Sequence, residues 1–119
     1  MAPVWAVLAA CLLSGCADRG LYQWGTYDTL LYESYKHPER TAALRQGLED
    51  HIALLESTML QVAPGLYAEL GTLYLQSNDS VTARRFYVKE RQAWPESRVL
   101  MDALIARIDA RPRKAEVKP

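Results

Sequence analysis

The chain has 119 residues, which is the size of one domain and leaves no room for a second hydrophobic core. Its 14 Lys and Arg residues balance its 14 Asp and Glu residues, so there is no net charge at pH 7 to attract nucleic acid. We therefore expect one small domain that does not bind nucleic acid.

A short apolar run, residues 4–13, lies near the N-terminus. It has the length of the central region of a secretion signal and is too short for the ~20 apolar residues of a membrane-spanning helix. Leu13, the last residue of this run, begins the sequence Leu-Ser-Gly-Cys at residues 13–16, which resembles the lipobox of bacterial lipoproteins. We predict that residues 1–15 are a lipoprotein signal peptide and that Cys16 is lipidated. The alternative is a buried helix over 1–15 and a free thiol.

The lipid also predicts a location. Three acyl chains, at about 0.8 kcal/mol per buried methylene, would hold the protein firmly to a membrane. In lipoproteins that this motif resembles, the residue after the cysteine directs sorting, and Ala17 implies the inner leaflet of the outer membrane, facing the periplasm. Asp18, one place later, leaves the inner membrane open as an alternative.

Residues 16–25 are predicted to form a lipidated tether that leads into an aromatic stretch. Aromatic side chains with polar tips suit wet protein interfaces, so the four that lie near the anchor are candidate partner-binding residues. The alternative is that they pack on the protein's own helices. These four residues are Tyr22, Trp24, Tyr27 and Tyr32.

Residues 26–110 are predicted to form an all-α domain of about five helices, arranged as hairpins of the tetratricopeptide-repeat type. Thr26 is expected to cap a first helix over 27–36 with its hydroxyl oxygen. Helical spacing predicts that this helix buries one face. That face carries Tyr27, Leu30, Leu31 and Tyr35.

A long second helix is predicted over 38–60, because proline is tolerated at the first helical position. Apolar residues recur along it at steps of three or four and form one amphipathic stripe, which predicts a core face. The stripe consists of Leu44, Leu48, Ile52, Leu55 and Met59.

The next segment carries seven residues in register with a tetratricopeptide repeat. Small residues at Gly71 and Ala83 would let two antiparallel helices approach closely around a turn at 77–80, while Tyr87 fills the space between them. Glu90 stands where the repeat usually has a small residue, and we expect it to tilt the next helix outward. The seven repeat-packing residues are Tyr67, Leu70, Gly71, Tyr74, Ala83, Tyr87 and Pro95.

A last helix is predicted over 96–109, with one apolar face. Residues 111–119 are rich in basic residues and nearly free of apolar ones, which predicts a disordered tail. Contact of that tail with anionic lipid or peptidoglycan is the alternative. The face of the last helix carries Leu100, Leu104 and Ile108, with Val99 and Ile105 beside it.

No arrangement of residues predicts catalysis. The histidines, His37 and His51, have no metal-ligand spacing with another His, Cys, Asp or Glu, and the chain has neither a nucleophile elbow nor a glycine-rich phosphate loop. We expect no enzyme activity, no metal, no cofactor and no small-molecule substrate. The acidic residues of the predicted helices are spaced as solvated charges, namely Glu33, Glu49, Asp50 and Glu56.

Three stretches of the chain, together with the lipobox, resemble one family of small bacterial lipoproteins, catalogued as domain of unknown function 4810. They are residues 22–27 with Leu31 and Tyr32, residues 64–71, and residues 94–97. The resemblance covers nearly all of the chain from Cys16 to Arg107. It implies an outer-membrane or periplasmic lipoprotein that is encoded beside a curli-secretion-channel-like lipoprotein and assists an envelope assembly.

We interpret the chain as a lipid-anchored scaffold that binds another envelope protein, and the channel-like lipoprotein is the implied partner. One clear repeat unit falls short of the three or so that usually make a stable solenoid, so either the second helix closes the core or a partner covers an open face. Two alternatives stay open. One is a passive structural lipoprotein that ties envelope layers together, and the other is an envelope hydrolase, which no set of residues supports.

Overall fold

The computed structural model describes residues 20–111, which form five α-helices joined by turns and short loops. Each helix packs against the next one along the chain, so the architecture is a row of adjacent hairpins. This confirms the predicted all-α fold of five helices. The predicted signal peptide, Cys16 and the tail after Arg111 lie outside the described residues. The helices are α1 (Tyr27–Lys36), α2 (Thr41–Ser57), α3 (Leu66–Gln76), α4 (Ser80–Ala93) and α5 (Arg98–Asp109).

Side-chain bonds between helices fix their antiparallel order. Arg45, near the start of α2, donates to the hydroxyl of Ser77 just after α3, at 3.2 Å. Arg84, near the start of α4, pairs with Asp109 at the end of α5, at 2.9 Å. The α2–α3 loop and the α4–α5 turn therefore lie at one end of the row, and the α1–α2 and α3–α4 turns lie at the other.

The first helix has the predicted bounds, but none of its residues is fully buried. Thr26 stands at the N-cap position without a side-chain bond to the first turn, so the predicted cap is wrong. Tyr27 and Leu30 are half-buried, whereas Leu31 and Tyr35 are exposed, so only half of the predicted buried face is correct. The physical reason is that α1 packs mainly on α2, and one neighbouring helix covers only a narrow stripe.

The second helix is shorter than predicted at both ends. Residues 38–40 form a 3-10 turn, and α2 ends at Ser57. The hydroxyl of Thr58 donates to the carbonyl oxygen of Leu54 at 2.8 Å, and Met59 takes a left-handed backbone conformation with φ 56°, which ends the helical path. Met59 is 93 % exposed, so its predicted place in the core face is wrong.

The main core lies between α2, α3 and the loop that joins them. From α2 it takes the four remaining residues of the predicted stripe, Leu44, Leu48, Ile52 and Leu55. From the loop and α3 it takes Val62, Ala63, Leu66, Tyr67, Leu70 and Leu73. The second helix therefore closes the core that the repeat hairpin alone would leave open.

The closest packing between helices is that of α3 on α4. A Cβ atom at Gly71 would lie 2.8 Å from the ring of Tyr87 and 3.1 Å from the carbonyl oxygen of Ala83, so this approach requires glycine. Tyr87 is 1 % exposed, and its hydroxyl oxygen lies 3.0 Å from the hydroxyl oxygen of Thr72. Small residues thus stand where the two helix backbones come nearest.

The remaining residues of the predicted repeat lie along α3 and after α4. Tyr67 and Leu70 are buried, and Pro95 is exposed at the start of a 3-10 turn that follows α4. Tyr74 is half-buried and stacks on Phe86 of α4, with ring centroids 5.8 Å apart. The repeat residues therefore lie in the α3–α4 contact or at one of its two ends.

Glu90 is a buried carboxylate, 1 % exposed, near the end of α4. Its Oε1 atom accepts from the backbone N–H of Gly65 at 2.9 Å and from the hydroxyl of Ser97 at 3.0 Å. Gly65 precedes α3 in a left-handed conformation, φ 91°, and Ser97 precedes α5. The carboxylate therefore ties the start of α3 to the turn before α5, which fixes where the last helix begins.

The last helix buries part of the face that was predicted, with one difference at its start. Met101 is its buried residue, while Val99 and Leu100 are exposed. Leu104, Ile105 and Ile108 are half-buried against Ala83, Tyr87 and Met101. Arg91 of α4 pairs with Asp102 of α5 at 2.7 Å on the exposed side of the contact. This pair helps to fix how α5 is rotated about its own axis. The predicted placement of Leu100 on the core face is therefore wrong.

Candidate protein-interaction surface

The segment before α1 lies on the C-terminal half of α2. His51 of α2 donates from Nε2 to the carbonyl oxygen of Gln23 at 2.9 Å. Gly25 has a left-handed backbone, φ 58°, and a Cβ atom there would lie 2.8 Å from Nδ1 of His51. A side chain at this position would push the segment off the helix, so glycine holds the two in contact.

Two of the four candidate partner-binding residues point into the protein. Tyr22 is half-buried and makes a T-shaped contact with Trp94, with ring centroids 5.6 Å apart. Tyr27 is half-buried against the main core, and burial raises the pKa of its hydroxyl. For these two residues the alternative interpretation, packing on the protein's own helices, describes the structure.

The other two candidates are exposed, together with two further residues of α1. Trp24 is exposed but lies near Tyr27, with ring centroids 6.2 Å apart. Tyr32 is exposed, and the ammonium of Lys36 lies 4.9 Å from its ring centroid. Tyr35 is 85 % exposed. We call the exposed group the α1 aromatic patch; it consists of Trp24, Leu31, Tyr32 and Tyr35.

Sequence periodicity missed Leu31 and Tyr35 because it assigned them to the core face of α1. The signal that could have found them is the excess of apolar residues over what one neighbour can cover. Residues at i and i+4, such as Leu31 and Tyr35, share a side of a helix, and adjacent Leu30 already faces Gly47 of α2. Leu31 therefore faces away from α2, and Tyr35 lies one turn further along the same side.

Two ion pairs join α2, or the turn before it, to other helices. Arg40 donates to Glu33 at 2.7 Å and closes the turn between α1 and α2. Glu56, at the end of α2, accepts from Lys89 of α4 at 2.6 Å and from the hydroxyl of Tyr67 at 2.8 Å. The Lys89 bond lowers the pKa of Glu56, while burial and the Glu56 bond raise the pKa of Tyr67.

The part of the chain that the structure describes contains no group of three or more His, Cys, Asp and Glu residues able to hold a metal ion. Across residues 20–111, no helix combines the length and the apolar character that crossing a bilayer would take. A groove of about 230 Å³ between α2 and α3 is lined in part by Arg45 and Leu73, but no nucleophile with a general base faces it. The exposed α1 aromatic patch is therefore the best candidate for a functional surface.

Comparison with known families identifies a family that this chain matches. A family model described as Domain of unknown function (DUF4810) matches residues 21–104, which is more than half of the chain. No curated protein matches the chain, and no solved structure matches it. The matched range begins at the segment that lies on α2 and ends within α5.

Proposed function

This chain belongs to the DUF4810 family, and from that premise we propose that it is a lipid-anchored protein of the bacterial envelope that binds another envelope protein. The binding surface is the α1 aromatic patch. The lipid is carried by Cys16, after removal of residues 1–15 as a signal peptide. The protein sits on the periplasmic side of the outer membrane.

One observation carries the binding proposal: α1 buries none of its residues fully, although half of its residues are apolar or aromatic. The main core closes without Leu31, Tyr32 and Tyr35. Tyrosine and tryptophan are enriched among the residues that dominate binding energy in protein interfaces, because each offers a large apolar area and a polar tip. A patch that folding does not use is free to bind a partner.

The partner we propose is a second envelope lipoprotein, and the family resemblance makes the curli-secretion-channel-like lipoprotein the first to test. Its complementary surface would be an apolar cleft with acceptors at the rim for the Tyr32 and Tyr35 hydroxyls and for Lys36. The rim of an interface is polar and its centre is apolar, which matches this arrangement. None of the four residues of the patch carries a positive charge that would recognise a nucleic acid backbone.

The proposal includes no catalytic role. Glu33 pairs with Arg40, and Glu56 pairs with Lys89. These pairs support a role without catalysis, because the charges stabilise the fold and are not turned toward a cleft. The buried carboxylate of Glu90 likewise bonds to two groups of the protein itself.

The binding test uses crosslinking in the envelope. A photoreactive amino acid at Tyr32 should crosslink to the channel-like lipoprotein when the two are expressed together, and one at Val81, an exposed position on α4, should not. A Trp24→Ser/Tyr35→Ser variant should weaken binding of the purified partner by at least about tenfold. The matched control Val81→Ser/Leu100→Ser removes two exposed apolar residues elsewhere and should leave binding unchanged. Equal losses in both variants would refute the patch.

The anchor test is separate. The intact mass of the purified protein should equal residues 16–119 with a diacylglyceryl group and an amide-linked acyl chain, and Cys16→Ser should keep the leader and lack both. Deleting residues 111–119 should change neither membrane attachment nor partner binding. Release of the protein from peptidoglycan by that deletion would instead favour the passive structural lipoprotein.

A further inference from the structure

Exposed apolar side chains gather at one end of the row of helices. This end is formed by residues 20–23, the α2–α3 loop and the α4–α5 turn with the start of α5, and we call it the anchor end. Leu21 is 91 % exposed there, and Met59 is also almost fully exposed. The exposed apolar residues of the anchor end are Leu21, Met59, Leu60, Val99 and Leu100.

Three contacts bring these residues to the same end. Leu21 and Leu60 line one groove of about 340 Å³, together with Gly20. Tyr22, next to Leu21, packs against Trp94 at the end of α4. The Glu90 bonds described above join the α2–α3 loop to the turn before α5, so the start of α5 lies at this end as well.

The opposite end of the row has a different character. Its α1–α2 turn contains His37, Glu39 and Arg40, and its α3–α4 turn runs through polar residues 76–80. Val81, on the first turn of α4, is exposed beside that turn, and Tyr35, in the last turn of α1, is exposed beside the α1–α2 turn. The opposite end therefore presents polar turns flanked by these two side chains, whereas the anchor end presents five apolar side chains.

The first described residue stands at the anchor end. Gly20 lines the groove with Leu60, and Cys16 precedes it by four residues. Four residues span at most about 14 Å when fully extended. A lipid on Cys16 would therefore hold Gly20, at the anchor end, within about that distance of the bilayer.

We infer that the anchor end lies on the lipid bilayer, with Leu21, Met59 and Leu60 inserted at the boundary between headgroups and acyl chains. The inference rests on the proposed lipid anchor. A short tether makes this contact intramolecular, so that even a weak apolar insertion is strongly populated. The contact orients the protein with its polar end toward the periplasm and leaves α1 on the side of the molecule, accessible to a partner.

The shape and charge of the anchor end favour lipid over a protein as its occupant. Met59 and Leu21 are almost fully exposed and lie on a left-handed turn and an irregular segment, so most of each side chain protrudes into solvent and little of it lies within the groove of Leu21 and Leu60. A fluid leaflet accommodates such protrusions, whereas a protein interface needs a shaped counterpart. Glu56 and Lys89 nearby are paired with each other, and Glu96 and Arg98, in the α4–α5 turn and at the start of α5, carry opposite charges, so insertion depends on apolar contact and not on attraction to anionic headgroups.

The test measures depth in the bilayer at two matched positions. The lipidated full-length protein is reconstituted in vesicles of phosphatidylethanolamine and phosphatidylglycerol, with an environment-sensitive fluorophore on Met59→Cys or, as the control, on Val81→Cys. Both native side chains are largely exposed and apolar. We expect a blue shift and at least about threefold stronger quenching by lipids with spin-labelled acyl chains at position 59 than at 81. Leu21→Cys should behave like Met59→Cys.

Each of the other possible outcomes would contradict a specific part of the proposal. Weak and equal quenching at both positions, in protein that floats with the vesicles, overturns the orientation and leaves the anchor intact. Shielding of the position 59 label from aqueous iodide without quenching by lipid overturns it in favour of a protein or a second copy on the anchor end. Failure of the native protein to float with the vesicles overturns the anchor itself and the orientation with it.

Discussion

The α3–α4 hairpin and the first helix use similar residues in opposite ways. In α3 five residues are buried, among them Leu70 and Gly71, and α4 adds Tyr87 in the space between the helices. In α1 no residue is fully buried, although the helix carries three tyrosines and two leucines. Stability should therefore reside in the hairpin and its contact with α2, whereas α1 should be the part that opens most easily and offers surface to others.

The largest contrast should appear between two tyrosines. Tyr87→Ala removes a buried ring from between α3 and α4 and should lower the free energy of unfolding by about 3–5 kcal/mol. Tyr35→Ala removes an exposed ring from α1 and should change it by less than about 0.5 kcal/mol. Urea unfolding followed by circular dichroism measures both. If Tyr87→Ala does not fold, Tyr87→Phe removes only the hydroxyl near Thr72 and should cost about 1 kcal/mol. Similar losses at positions 87 and 35 would contradict the comparison.

Two glycines sharpen the same contrast. Gly71→Ala places a methyl group against the ring of Tyr87 and should lower the free energy of unfolding by about 1–3 kcal/mol, because neither the ring nor the adjacent backbone can yield freely. Gly47→Ala meets only the flexible tip of Leu30 on α1, and the gain in helix propensity, about 1 kcal/mol, should offset any crowding. Thermal unfolding of the two variants gives the comparison. A larger loss at Gly47 would show that α1 is held as firmly as α4.

The two N-caps should differ by a smaller amount. The carboxylate of Asp79 accepts from the backbone N–H of Thr82 at 3.0 Å, and this bond lowers the pKa of Asp79. Asp79→Ala should therefore cost about 1 kcal/mol. Thr26→Ala removes a side chain that makes no cap bond to α1 and should cost almost nothing. Chemical denaturation of both variants decides the point, and equal costs would refute the difference between the two caps.

The smallest effect on the free energy of unfolding should come from lowering the pH. Glu56 joins α2 to the hairpin, and its bonds to Lys89 and Tyr67 lower its pKa below the ordinary value of 4.5. A carboxylate whose pKa is lower in the folded state stabilises the protein above pH 4.5 and loses that contribution as the pH falls through the folded pKa. Because the pair is partly exposed, the contribution is at most about 1 kcal/mol.

Glu56→Gln should remove that part of the acid dependence, which unfolding curves between pH 6 and 3 would measure. The matched control is Glu96→Gln, since Glu96 is exposed at the turn before α5. If Glu96→Gln flattens the pH dependence as much as Glu56→Gln does, the pair with Lys89 is not its source.

Sequence periodicity predicted the interior of the fold better than its edges. The stripe from Leu44 to Leu55 lies in the core, and the small residue at Gly71 stands where two helices approach most closely. Both regions have neighbours on several sides, so an apolar position there is almost certain to be covered. Periodicity shows which residues share a helix face, but it does not show how many neighbours cover that face.

The terminal helices illustrate that limit. In α1 the second apolar column, Leu31 and Tyr35, has no neighbour to cover it in the part of the chain that the structure describes, and in α5 the arrangement of the preceding turn selects Met101 over Leu100. The selection depends on Glu90, whose partners Gly65 and Ser97 lie 25 and 7 residues away in the chain. A bond over such distances leaves no local pattern in the sequence.

The candidate site was only partly predictable for the same reason. An aromatic stretch near the predicted lipidation site is visible in the sequence, but its division into inward and outward side chains depends on where α2 and Trp94 lie. Tyr22 turns inward because Trp94, far along the chain, offers it an edge-on ring. Tyr32 faces outward because no element within residues 20–111 passes over that side of α1.

The contact between Tyr22 and Trp94 also determines how the molecule would bear tension on the tether that we propose at Cys16. A pull on residues 20–23 would act first on the ring contact with Trp94, directly after α4, and on the bond between Gln23 and His51 of α2, before it reached α1. The load would therefore pass first to α2 and to the end of α4. With the proposed anchor in place, a pull from the membrane, or from a partner that moves relative to it, would have to break these contacts before it could peel away the first helix.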